Sequence, residues 1–194
     1  MRKLMVVGLL ILPLLVVGCS KGPAEAALKA ADEAIAKVQP AAEMYVPEQF
    51  TALATAATDA KALFDKGDYA AALTAAKDLP AKAAEVMTAV TAKKDEYTKT
   101  WTELQGSLPA VVQGLTDKVG VLAAMKKLPK GFDAAQLKTA KTSLTSVTDL
   151  WTAATGAFGG GDLIGAVKKA GDAKTKAGEL TTMLEAVTPA PATK

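Results

Sequence analysis

The chain carries one thiol, Cys19, and no histidine. A small residue, Gly18, stands directly before this only cysteine. A lone cysteine closes no disulfide within the chain. Without His, the Ser-His-Asp and Cys-His routes to acyl transfer are excluded by composition. Zinc, copper and haem sites lose their usual ligands, so no cofactor or metal is expected. Carboxylates remain, densest at Asp32-Glu33 and at Asp95-Glu96 with Glu103. Metal or acid–base work would need such groups to converge from several helices, as Glu-x-x-His sets do. The His half of that pattern is missing, and a solvated helix face is the simpler reading.

Gly159-Gly160-Gly161-Asp162 at a helix start offers backbone N–H groups to an anion. It lacks the G-x-x-x-x-G-K-[ST] order, and Asp162 would repel phosphate. An interhelical turn accounts for it better. Trp101, Trp151, Tyr45, Tyr69 and Tyr97 fall on apolar helix faces. They are core anchors, or the two Trp line a pocket for a small ligand. Lys126-Lys127 with Lys130, and Lys168-Lys169 with Lys174 and Lys176, are basic clusters on solvated faces. Anionic headgroups are their alternative contact.

The elements that must position these groups begin with a leader. Arg2-Lys3 precede an apolar run from Leu4 to Val17, broken only by Gly8 and Pro13, and Gly18-Cys19 follows. Charged, apolar, then small is the order of a secretory signal. The run falls short of the roughly 20 residues needed to span a bilayer as a helix.

Val16-Val17-Gly18-Cys19 resembles the lipobox of bacterial lipoproteins: aliphatic, small or aliphatic, Gly/Ala/Ser, then Cys. The resemblance implies cleavage after Gly18 by a peptidase of the signal peptidase II type. It also implies a thioether-linked diacylglycerol on Cys19 and a fatty acyl group such as palmitate on the new N-terminus. A plain secretory signal with an unmodified Cys19 is the alternative. Ser20, where inner-membrane lipoproteins carry Asp, implies an outer-membrane position facing the periplasm if the source has two membranes. Two or more acyl chains anchor stably where one is marginal.

Loss of residues 1–18 takes Arg2 and Lys3 with it. The mature chain then has 21 Lys against 20 carboxylates and no Arg. The formal charge of +3 for the whole chain therefore overstates its basicity. A near-neutral chain is not built to steer toward nucleic acid. Without Arg it lacks the planar fork that binds phosphate bidentately. Abundant Ala favours helix.

Three-four spacing of apolar residues runs through the mature chain, and no segment alternates as a strand would. Leu28, Ile35 and Tyr45 lie on a first helix in which Pro40 predicts a kink or break. Pro47 suits the first turn of a second helix, closed by Lys66 and a left-handed Gly67. Asp68 caps a third helix through 106, bent at Pro80. Its face includes Leu73, Met87, Trp101 and Leu104. Gly106-Ser107 ends it and Pro109 opens a fourth helix to Met125. Pro129-Lys130-Gly131 is a turn, and Asp133 with Gln136 approximates a capping box for a fifth helix to Phe158. Asp162 caps a sixth from Leu163 to Val187, and Pro189 ends the fold.

A shift of 94 residues superposes Phe64 on Phe158 and Gly67-Asp68 on Gly161-Asp162. It also superposes Lys82-Ala83 on Lys176-Ala177. A duplication explains this, as does chance alignment of two Ala/Lys/Leu-rich hairpins. Ala62 to Leu73 resembles the inter-helix step of tetratricopeptide hairpins, and the body resembles alanine-rich helical envelope lipoproteins. The 34-residue period of a tetratricopeptide array is missing.

The expectation is therefore an all-α chain: an antiparallel bundle of about six helices, with two related three-helix halves as the repeat's implication. The domains are a leader (1–18), a lipidated tether (19–23), a bundle (24–188, halves 24–106 and 107–188) and a flexible tail (189–194). The tail ends in Lys194, as does the major murein lipoprotein of some bacteria, whose terminal Lys joins peptidoglycan. This chain is far longer and a folded bundle reaches less far, so the lipid on Cys19 is taken as its covalent anchor. The function expected is non-enzymatic: a lipid-anchored structural or protein-interaction role in the bacterial envelope. Its contacts are the membrane, through Cys19, and an envelope protein. A binding protein for a small apolar or amphipathic ligand between helices is the alternative.

Overall fold

The computed structural model describes residues 20–186; Cys19, Val187 and the tail from 189 to Lys194 lie outside them. The described residues form α1 (Lys21–Tyr45), α2 (Pro47–Asp65), α3 (Tyr69–Lys77), α4 (Leu79–Ala124), α5 (Ala134–Gly159) and α6 (Leu163–Glu185). No strand occurs among them, so this part of the chain is all-α. Residues 21–23, expected in the tether, already belong to α1.

The partition of helices differs from expectation. No break occurs at Gly106-Ser107-Pro109; α4 runs straight through it. Ser107 Oγ donates to the Glu103 carbonyl at 2.8 Å and so stays content inside the helix. A mid-helix proline costs about 3 kcal/mol. Leu104 and Leu108 on one side of Pro109, and Leu115 on the other, are buried and hold the helix across it. Pro40 likewise lies inside α1, between buried Val38 and Ala42.

The interruption comes upstream instead, at Asp78, just before Leu79-Pro80. A residue preceding proline resists the helical region, which favours a helix boundary there. Asp78 itself keeps near-helical dihedrals, φ −91° and ψ −10°. Val46, between α1 and α2, does not, with φ −143° and ψ 55°. Taken as one interrupted run, α3 and α4 bring the described residues to five helical runs where six separate helices were expected. The buried face nevertheless keeps one register across the interruption, with Ala72, Ala76, Leu79, Ala83, Val86 and Val90 stepping by four and three. Leu79 and Val86 are buried, while Met87, expected on the apolar face, is 37% exposed.

The described residues divide into two compact units between Lys94 and Asp95, inside α4. In the first, α1, α2 and α3 pack on one another. Leu28, Val38 and Leu53 meet Leu79, Val86 and Val90 in its core. In the second, α5 packs along α6. Leu115, Val119 and Leu122 of α4 join Val147, Leu180 and Leu184 there. Phe132, from the α4–α5 connection, is buried in the same cluster. A further cluster sets Trp101, Leu104 and Leu108 against Ala154, Ala166 and Ala170.

The α2–α3 and α5–α6 connections match bond for bond. Gly67 and Gly161 adopt φ of 82° and 84°. Gly67 N–H donates to the Phe64 carbonyl at 2.9 Å, and Gly161 N–H to the Phe158 carbonyl at 3.0 Å. Asp68 N–H reaches the Leu63 carbonyl at 3.0 Å, and Asp162 N–H the Ala157 carbonyl at 2.9 Å. This is the paired closure of a Schellman motif. Each Asp then caps the next helix, accepting from Ala71 N–H at 3.0 Å and from Gly165 N–H at 2.8 Å. The sequence shift of 94 residues relates every one of these bonds. The capping box of α5 is complete, with Gln136 N–H to Asp133 and Asp133 N–H to Gln136 both at 2.8 Å.

A Cβ added at Gly67 or Gly161 would meet nothing within 4 Å, so only the dihedral resists substitution. Gly67→Ala and Gly161→Ala should therefore each destabilise by about 1–2 kcal/mol, and by similar amounts. Gly114→Ala, mid-helix and equally open, should stabilise by about 0.5–1 kcal/mol. Leu180→Ala, at a 1% exposed site, should cost about 2–5 kcal/mol. Half-buried Leu144→Ala should cost less than Leu180→Ala. Chemical denaturation followed by circular dichroism checks all five.

Candidate functional site

Cys19, the one residue to which the sequence assigns a modification, lies outside the described residues. The chain just after it is well defined. Ser20 is the N-cap of α1, and its carbonyl accepts from Ala24 N–H at 2.9 Å. The residue following the cysteine is thus already tied to a helix. No helix of the described residues is long and apolar enough to cross a membrane.

The carboxylate sets do not converge. Asp32 pairs with Lys61 at 2.7 Å, linking α1 to α2, with both side chains half exposed. Such a pair is worth at most about 1 kcal/mol. Asp95, Glu96 and Glu103 lie exposed along α4. Among the described residues, no group of three or more His, Cys, Asp or Glu could hold a metal ion.

The Gly159-Gly160-Gly161-Asp162 segment is a turn. Asp162 sits over the start of α6 and occupies the N–H group that an anion would need. A Cβ on Gly165 would collide with that carboxylate, so Gly165 is the residue that lets Asp162 close over the helix end.

Hydroxyls are plentiful on the surface, and their donors are committed locally. Thr51, Thr55 and Thr58 along α2 each donate to the carbonyl four residues back at 2.9 Å. Thr142 and Thr145 do the same in α5 at 3.1 Å. Back-bonding of this kind satisfies a mid-helix threonine without any partner from another element. A shallow groove between α5 and α6 is lined by Thr142, Thr145, Ser146, Asp149 and Lys169. Leu150 and Ala153 complete its lining, which exposes more apolar than polar surface.

The densest aromatic group is in the second unit. Trp101 of α4 is 2% exposed and stacks against two α5 residues. Its ring lies 5.8 Å from Trp151 at 19° and 4.6 Å from Phe158 at 17°. Trp101 Nε1 is buried and has no hydrogen-bond partner. Phe158 is 44% exposed beside it. The sequence put all three on apolar faces, but periodicity along one helix says nothing about which ring meets which across helices.

The first unit has a smaller aromatic group at its α2–α3 turn. Phe64 and Tyr69 meet edge to face, centroids 5.0 Å apart at 64°. Lys21 Nζ lies 5.8 Å from the Tyr69 ring centroid. Nothing in the sequence signalled this contact, because the two residues are 48 apart and on different helices. Lys126, Lys127 and Lys130 are exposed, as are Lys168, Lys174 and Lys176.

Leaving a buried N–H unpaired costs about 1–3 kcal/mol. Trp101→Phe removes that donor and keeps a stacking ring, so it should destabilise much less than Trp101→Ala. The latter should cost about 3–5 kcal/mol. Urea denaturation of the two variants measures the gap. No protein-family model, curated protein or solved structure matches this chain.

Proposed function

We propose that this chain is a lipid-anchored protein of the bacterial envelope that works through surface contacts and carries out no catalysis. The observation that carries the reading is Val16-Val17-Gly18-Cys19 placed directly before Ser20, the residue from which α1 starts. Cys19 holds the acyl chains, and in a two-membrane envelope the body stands in the periplasm on the outer membrane. Its partner is another envelope protein. Two features support contact over chemistry: threonine hydroxyls are spent on their own helices, and Asp162 covers the α6 N-terminus.

The body is two related three-helix bundles. The 94-residue repetition of the Gly-Asp turn supports a duplication, with the junction at Lys94–Asp95 in place of 106/107.

A second reading, a small apolar or amphipathic ligand held between helices, draws on one observation. Trp101 Nε1 is an unpartnered donor beside half-exposed Phe158. A ligand that takes this donor would shift Trp emission in a way that Trp101→Phe abolishes.

Mass spectrometry of the mature N-terminus should show cleavage after Gly18 and acyl mass on Cys19. Cys19→Ala should move the protein from the membrane fraction to an uncleaved or soluble form. Cleavage elsewhere with no acyl mass refutes the anchor. Crosslinking in envelope fractions followed by pull-down of the wild type, with Cys19→Ala as the control, identifies the partner.

A further inference from the structure

We infer that the first unit stands end-on at the lipid headgroup layer, with its α2–α3 turn and the start of α1 as the membrane-facing surface. The inference deepens the anchoring reading and rests on it. Cys19 is two residues before Lys21, and a chain reaches at most about 3.6 Å per residue. Ser20 is already fixed by its bond to Ala24. No slack remains between the acylated residue and the first turn of α1, so Lys21 lies within about 7 Å of the anchor.

Lys21 reaches the Tyr69 ring at 5.8 Å, and Tyr69 packs on Phe64. The α2–α3 turn therefore shares the anchored end of the unit. The antiparallel Asp32–Lys61 pair fixes the same relation further up, between α1 and α2.

The chemistry of this end suits a lipid surface. Phe64 and Tyr69 are both partly exposed. Amphipathic aromatic rings settle at headgroup level. Lys21 and Lys66 are exposed, as are Asp65 and Asp68. Asp68 spends its carboxylate on Ala71 N–H. Equal numbers of both signs match a zwitterionic headgroup layer better than a strongly anionic one.

The test uses the lipidated full chain, purified in detergent and reconstituted in phosphatidylethanolamine–phosphatidylglycerol vesicles. Cys19 is the only native cysteine and is acylated, so an introduced thiol takes the label alone. Lys66→Cys labels the turn. Glu48→Cys labels the opposite end of α2, about 27 Å away at 1.5 Å per residue. A nickel-chelating lipid quenches fluorophores at headgroup depth. Lys66→Cys should lose most of its emission, and Glu48→Cys should keep it.

Asp59→Cys, about 10 Å up the same helix, should fall between them and replaces either variant that fails to fold. Equal quenching along α2, or stronger quenching at Glu48, overturns the orientation. Flotation of the same samples separates the two levels. Protein that floats with acyl mass yet shows a flat or inverted profile refutes the orientation alone. Protein that does not float and carries no acyl mass refutes the anchor and the orientation with it.

Discussion

Alanine in the buried stripe of every helix sets the terms of this fold. Ala24, Ala42, Ala60, Ala72, Ala76, Ala140, Ala154, Ala166 and Ala170 are fully buried. Each removes little apolar surface from water, at about 25 cal/mol per Å². Such a core gains by bringing backbones close, and close backbones leave little room between helices. Leu, Val and a few aromatics fill what remains. No polar or charged residue is buried among the described residues, and the indole N–H of Trp101 is a buried donor without a partner.

The surface is restrained by the same economy. Threonine rows on α2 and α5 turn their hydroxyls back onto their own carbonyls. The Asp residues at helix starts are consumed as caps. Repeating one Gly-Asp turn in both units gives two hairpins with the same closure, yet their surroundings differ. In the first unit the turn carries Phe64 and Tyr69 beside Lys21. In the second, Phe158 stacks on Trp101 and the turn is followed by Leu163. A shared closure with different neighbours allows one scaffold to present two distinct ends.

What was legible in the sequence was local. Gly67, Asp68, Gly161, Asp162 and the Asp133–Gln136 pair act within four residues of themselves, so spacing alone revealed them. Pro40 and Pro109 misled because their cost is local while the gain that outweighs it is not. Val38, Ala42, Leu108 and Leu115 are buried by other helices, and no local rule reports that. The register read across Asp78 held at Trp101 and Leu104 and missed by one residue at Met87. Val86 lies nearer the centre of the buried stripe, so it is covered while neighbouring Met87 sits at the edge. Phe132 was hidden inside a segment read as a turn, since a single apolar residue has no period. The aromatic contacts of Trp101 and the Lys21–Tyr69 approach depend on which helices lie side by side.

A rigid start to α1 changes what a lipid anchor does. On a long flexible tether, a lipidated domain samples all orientations and its acyl chains fix only its distance from the bilayer. Here the helix begins two residues after Cys19, and Pro23 in its first turn removes an N–H that would have gone unused there. An acyl anchor on Cys19, as proposed, would then transmit direction as well as position. A surface-contact protein gains from this, because a partner reaching it from a fixed side meets the same residues each time. The faces of the described residues carry charges of both signs, back-bonded hydroxyls and exposed apolar side chains such as Met44 and Val121. On the proposed anchoring, orientation at the membrane would select which of those faces a partner encounters.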